Sequence, residues 1–210
     1  SFLSLPADKI QDLSYRADTG IISSYIAVFS KALSAGHTDI AVKWLNDADV
    51  YFEKAGLLEK NRLQIQYGYK YLFDFYLMES KRYSLANNFN QAYHSLSKAE
   101  NIATEIQGLV NTAKIIDNAR SSIGRNRLNY LNRLALNYKR KAVYDSIYLL
   151  IPEMRSICQS HSLFLNFEND TLNKLLSDIN ALTMKSALMQ AKKYISGEHY
   201  LKALSLYDSL

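Results

Sequence analysis

Residues 82–102, RYSLANNFNQAYHSLSKAENI, read as the end of one helix, a tight turn, and the start of a second helix folded back on the first. Tyr83 and Phe89 flank the turn at Asn87-Asn88. Ala92, Leu96 and Ala99 then follow at spacings of four and three, which places them on one face of a helix. Ala92 is small enough to let the two helices approach closely. The bulkier Tyr83, Phe89 and Leu96 fill the space around it.

The pattern recurs outward from this stretch in both directions. The small or branched residues after each turn are Ala41, Ala92, Ile147 and Ala203, separated by 51, 55 and 56 residues. Before the turn, a small residue three ahead of an aromatic appears as Ser80 with Tyr83, Ala135 with Tyr138, and Ala191 with Tyr194. After it, an aromatic stands three before the small residue at Phe89, Tyr144 and Tyr200. The first copy departs, with Phe29 and Ala32 reversed in size and Thr38 in the aromatic place. The third copy has Ile147 where alanine is expected.

This repeat resembles the tetratricopeptide-repeat family in a degenerate form with a longer period than the usual one of about 34 residues. The resemblance implies an all-α fold of antiparallel helical hairpins stacked as an α-solenoid. A compact antiparallel helical bundle is the alternative, because Ala, Leu and Tyr at spacings of three and four also build generic helix cores. The hairpins are expected over roughly 21–56, 59–123, 125–158 and 170–210, in one repeat domain covering 1–210. The start SFLSLPADKI without an initiator Met and the end ALSLYDSL inside a helical pattern suggest a fragment of a longer protein.

Between these landmarks the reading is finer. Pro6 suits the first turn of a short helix reaching about Arg16, with Asp18-Thr19-Gly20 as a break. Ile22, Tyr25, Ile26, Phe29 and Leu33 mark a second helix. Thr38 is read as the N-cap of the next, which Gly56 closes. In 59–86, Leu63, Tyr67, Tyr71, Phe75 and Met78 trace an apolar helix face, and Gly68 is a weak spot costing roughly 1 kcal/mol relative to alanine. From Phe89 the apolar face runs on to Ile123 as one helix of about 35 residues, some 50 Å at 1.5 Å per residue, or breaks near Gly108. A phase jump at Gly124 marks the next boundary. Pro152 must kink or restart its helix. HSLFLNFEN (161–169) reads as a loop whose Leu163, Phe164 and Phe167 pack on the array, with Asp170 or Thr171 capping the last long helix to about Tyr194.

Composition excludes several classes. Only 7 Gly and 2 Pro punctuate 210 residues, too few turns for a strand-rich fold. With 48% hydrophobic and 21% charged residues, the chain is too apolar for disorder. No apolar run approaches the ~18 residues of a transmembrane helix, so the chain reads as soluble, cytoplasmic or exported, with the compartment open. The lone Cys158 forbids an internal disulfide framework. No phosphate loop, HExxH, paired CxxC or EF-hand run occurs. Cys158 and His161 supply two ligands where a zinc site needs about four. His37 and His199 read as solvated turn residues, and Asp47 with Asp49 as a solvated face. The expectation is a non-enzymatic protein with no cofactor and no metal.

The clearest charge feature is 120–141. Arg120, Arg125, Arg127, Arg133, Lys139, Arg140 and Lys141 occur there without an acid among them, interleaved with Asn126, Asn129, Asn132 and Asn137. Arginine and asparagine supply matched donors to a carboxylate, so the stretch suits an acidic peptide; the bland reading is a solvated basic face. A nucleic-acid site has only the basic stripe in its favour, because no recognised motif accompanies a net charge of +5. The 16 tyrosines fill hairpin cores or offer apolar area with a hydroxyl at a binding surface. If Tyr67 and Tyr71 face the core, Tyr69 and Tyr76 are left for a groove. The family resemblance implies a peptide groove lined by the first helix of each hairpin, with Lys81, Asn129, Asn132, Arg133, Lys185 and Lys192 on or near it, and the basic run adds Lys139 and Arg140 as candidate partner-binding residues. The lysine and asparagine set of a carboxylate clamp is not complete. The expected function is a protein–protein interaction scaffold; a structural assembly subunit and a nucleic-acid-associated helical protein are the alternatives.

Overall fold

A computed structural model describes residues 7–55, 59–160 and 167–208, which are helical almost throughout and contain no strand. The helices are α1 (Ala7–Ser34), α2 (Thr38–Ala55), α3 (Glu59–Leu85), α4 (Phe89–Ile102), α5 (Thr112–Arg140), α6 (Tyr144–Tyr148), α7 (Ile151–Ser160), α8 (Asn173–Ser196) and α9 (Tyr200–Asp208). A 3₁₀ turn, Ala103–Ile106, extends α4, and a π turn, Glu168–Leu172, precedes α8. The chain divides into two compact units between Ile123 and Gly124, within α5.

Four hairpin turns share one backbone conformation. Gly36, Asn87, Ala142 and Glu198 sit at φ of 78°, 60°, 56° and 62°. At each, the next residue's N–H reaches five residues back: His37 to the Ala32 carbonyl (2.9 Å), Asn88 to Tyr83 (2.9 Å), Val143 to Tyr138 (3.0 Å) and His199 to Tyr194 (2.8 Å). This is a Schellman closure, which satisfies the last carbonyls of the first helix and reverses the chain. The left-handed residue precedes Ala41, Ala92, Ile147 and Ala203 by the same five positions, so the sequence period is a period of turns. All four of those residues are buried. At the second hairpin the approach is close enough for the Ser80 hydroxyl to donate to the Ala92 carbonyl at 2.8 Å, in a buried hydrogen bond between the helices.

The core of the first unit gathers Ile22 and Phe29 from α1, Leu45 from α2, Ile65, Leu72 and Phe73 from α3, and Leu96 from α4. Full burial of such a side chain contributes roughly 1.5–3 kcal/mol. Gly68 is buried and borders this core. A Cβ there would lie 2.6 Å from Leu45 Cδ1 and 3.2 Å from Ile26 Cδ1, so the missing side chain lets α3 approach α1 and α2. The second unit packs Leu128, Leu131 and Ala135 of α5 against Ile147, Met154, Leu175 and Ile179.

Several boundaries differ from the expectations. α1 runs unbroken through Asp18-Thr19-Gly20, because one interior glycine costs only about 1 kcal/mol. Asp18 there accepts a hydrogen bond from the Tyr51 hydroxyl of α2 at 2.8 Å. Thr38 opens α2 instead of capping it, and the His37 carbonyl accepts the Ala41 N–H. The long apolar run breaks at residues 107–111, near Gly108, whereas α5 continues through Gly124. Pro152 restarts the chain as α7, where a first-turn proline leaves no hydrogen bond unmade. The π turn displaces Asp170 and Thr171 from a capping role; Leu172 precedes α8 without a side-chain cap bond. Phe167 packs on the second core, while Pro6, Gly56, Leu163 and Phe164 lie outside the described residues.

Candidate functional site

α3 is apolar on two sides, only one of which is exposed. At about 100° per residue, Ile65, Tyr69, Leu72, Phe73, Tyr76 and Ser80 share one side of the helix, and Tyr67, Tyr71 and Met78 fall roughly opposite. The first set is the core side. Tyr69 and Tyr76 are only 8% and 6% exposed, whereas Tyr71 and Met78 are 65% and 63% exposed. This reverses the expected assignment of the tyrosines. The physical reason is that α3 is apolar on both sides, so periodicity marks two faces without ranking them. The buried face is the one joined by Gly68, which permits close packing, and by Ser80, which bonds to α4.

The outward side of α3 meets α1 in an open groove of about 680 Å³. Phe29 and Leu33 of α1 and Tyr71, Phe75 and Met78 of α3 give it apolar walls, with Ser30, Ser34 and Asp74 completing the lining. Two of its polar side chains are engaged internally. The Ser34 hydroxyl donates to the Ser30 carbonyl at 2.8 Å, and the Asp74 carboxylate holds Lys70 at 2.6 Å. The groove therefore offers apolar contact and a large polarizable thioether, not a reactive constellation. The visible signal in the sequence is the same tyrosine-rich run, read with the other side outward.

In the second unit, the basic run of α5 is sorted by position around the helix. Arg127 Nε donates to Glu153 of α7 at 2.6 Å, and Lys139 donates to Asp178 of α8 at 2.8 Å. Both cations flank the buried seam of Leu128, Leu131 and Ala135. In the first unit, Arg120 pairs with Glu100 and Asp117. Arg125, Asn129, Arg133 and Arg140 recur at spacings of four, four and seven along the exposed side of α5. Arg125, Arg133, Arg140 and Lys141 form no ion pair among the described residues. Lys139 is thus committed to the fold, and Asn132 is half-buried beside the exposed stripe. Lys185 and Lys192 are exposed on α8, and Lys81 is exposed on α3. The expected residues are therefore divided: Lys81, Tyr69 and Tyr76 belong to the first unit, the others to the second.

Lys139 holds the Asp178 carboxyl below the usual carboxylate range, first through the hydrogen bond and then through its charge. Burial, followed by the Asp49 and Glu105 carboxylates, pushes the Tyr69 phenol far above its ordinary value. Among the described residues, no group of three or more His, Cys, Asp or Glu side chains is placed to hold a metal ion. No described helix is long and apolar enough to cross a membrane. No protein-family model, curated protein or solved structure matches the chain.

Proposed function

We propose that this chain is a tetratricopeptide-like scaffold that binds a segment of another protein in a groove between the first helices of successive hairpins. The observation that carries the reading is the apolar groove between α1 and α3, with Tyr71 and Met78 left exposed beside it. Exposed aromatic and thioether side chains around a concave apolar surface are costly to leave in water and are the composition of protein-binding patches. The four identical turns support the repeat. The stripe of Arg125, Arg133 and Arg140, which forms no ion pair among the described residues, offers a contact of its own for an acidic segment.

A specific observation favours the assembly reading as well: Leu201 and Leu204 of α9 are exposed, Leu201 at 84%. One experiment separates the two. Partner capture from the native source, read by mass spectrometry, is compared for wild type, Tyr71→Glu/Met78→Glu and Leu201→Glu/Leu204→Glu, with sedimentation of each. Loss of the captured protein in the first variant alone, with an unchanged helical spectrum, is the expected result. Self-association that only the second variant abolishes would favour the assembly subunit instead.

A further inference from the structure

A second trough lies on the core side of α3, where α2 and α4 rise on either side of it. Its floor is Tyr69, Leu72 and Tyr76, at positions i, i+3 and i+7 of α3. One wall carries Asp39 and Asn46 of α2, and the other carries Lys98 and Asn101 of α4, with Glu105 of the 3₁₀ turn beyond. Seven residues of helix span roughly 10 Å at 1.5 Å per residue, the length of about three extended residues. The volume is about 560 Å³.

The polar groups along this trough are arranged by charge. Tyr69 donates to Asn46 Oδ1 at 3.2 Å, which leaves the amide N–H₂ of Asn46 directed to other acceptors. Asn101 is exposed on the facing wall. Two side-chain amides on opposite walls match the donor and acceptor pattern of a peptide main chain. Lys98 Nζ rests 5.4 Å from the centre of the Tyr76 ring, a cation–π contact that fixes it to the floor. Asp39 forms no ion pair among the described residues, and Glu105 reaches Arg62 only at 3.8 Å. Arg62 is held closer by Asp49 and Glu53, at 2.8 and 2.9 Å, so around the trough the carboxylates Asp39, Glu105, Asp49 and Glu53 outnumber the cations Lys98 and Arg62, in a chain whose net charge is +5.

We propose that this trough binds a short extended peptide segment carrying a lysine or arginine beside an apolar side chain. The apolar side chain lies between Val42 and Ile102, the half-buried apolar residues of the walls, over the edges of Tyr69 and Tyr76. A cation at the Tyr76 end is compensated by Asp39 and one at the Tyr69 end by Glu105, and the main chain is held by Asn46 and Asn101. Both phenols stay protonated, because burial raises each of them first and nearby carboxylates raise them further, so they remain hydrogen-bonding groups for the ligand. The site is separate from the groove between α1 and α3 and does not depend on it.

The test uses four fluorescein-labelled octapeptides with identical Gly/Ser flanks around a centre of leucine with arginine, leucine with glutamate, serine with arginine, or serine with glutamate. Fluorescence anisotropy against the full chain should give the leucine–arginine peptide a Kd about ten-fold or more below each of the others, a difference worth about 1.4 kcal/mol. Asp39→Asn/Glu105→Gln should erase the preference for arginine over glutamate while the melting curve is unchanged. Tyr71→Glu, in the other groove, should leave all four affinities as they are. Equal binding of the arginine and glutamate peptides would overturn the proposal. So would equal binding of the leucine and serine centres, no binding at 1 mM peptide, or a preference that survives the Asp39 and Glu105 changes.

Discussion

α3 and the second-unit part of α5 are both first helices of hairpins, yet their outward faces differ in kind. α3 turns Tyr67, Tyr71 and Met78 outward, opposite a core face that is equally apolar. α5 turns Arg125, Asn129, Arg133 and Arg140 outward, opposite Leu128, Leu131 and Ala135. One face exposes apolar area and the other exposes charge. On α5 a cation's role depends on its angle from the apolar seam: Arg127 and Lys139, beside it, reach acids of α7 and α8, and those on the far side do not. An unbroken run of like charge in sequence is thus two populations in space.

The largest expected effect is at the seam of the α3 hairpin. Ala92 is fully buried, and its carbonyl accepts the Ser80 hydroxyl across the helix–helix contact. Ala92→Leu should push α4 from α3, break that hydrogen bond and cost roughly 1–3 kcal/mol. Urea or thermal denaturation followed by circular dichroism measures it. The corresponding residue of the α5 hairpin is already large, Ile147, and is equally buried. A small residue at this position therefore distinguishes the α3 hairpin from the α5 hairpin, and a change near zero at Ala92 would remove that distinction.

A smaller effect sharpens the two populations of α5. Arg127→Glu sets two carboxylates side by side at Glu153 and should cost up to about 1 kcal/mol, the range of a partly exposed ion pair. Arg133→Glu/Arg140→Glu should shift stability by no more than about 0.5 kcal/mol, as exposed substitutions do. The double variant should instead lose capture of a labelled glutamate-rich decapeptide, and wild-type capture should weaken as salt rises. Binding that survives the double reversal would end the case for the α5 stripe without touching the groove between α1 and α3.

The all-helical fold and the spacing of the hairpins were legible because apolar residues at three and four recur around each turn. Three of the four turns carry no glycine at the left-handed position: Asn87 tolerates it and Glu198 directly follows Gly197, but Ala142 gives no local signal and is located only by its place in the period. Which apolar face of α3 is exposed was not legible. Tyr67 and Tyr71 make as good a helical stripe as Tyr69 and Tyr76, and only contacts from distant segments choose between them. Leu45 and Ile26 against Gly68 are such contacts. The pairing of Lys139 was hidden for the same reason, because Asp178 lies 39 residues away.

The smallest effect concerns that pair and its dependence on pH. The hydrogen bond from Lys139, then its charge, and further the charge of Lys174 favour the ionised form of Asp178 and lower its pKa in the folded chain. A carboxyl whose folded pKa lies below its unfolded value binds more protons when unfolded. Its extra stability is therefore present above the unfolded pKa, near 3.9, and is lost as pH falls through the folded value. Lys139→Met keeps the side chain's apolar length and removes the donor and the charge. The melting temperature of wild type should exceed that of Lys139→Met at pH 6, and the gap should close as the pH is taken from about 5 to about 2. Arg140→Met, on the unpaired side of the same helix, should show no such closing gap. A gap for Lys139→Met that persists unchanged at pH 2 would mean that the lysine contributes through packing of its stem. A matching pH-dependent gap for Arg140→Met would mean that the charge of α5 acts as a whole, and the division of its cations by angle would fail.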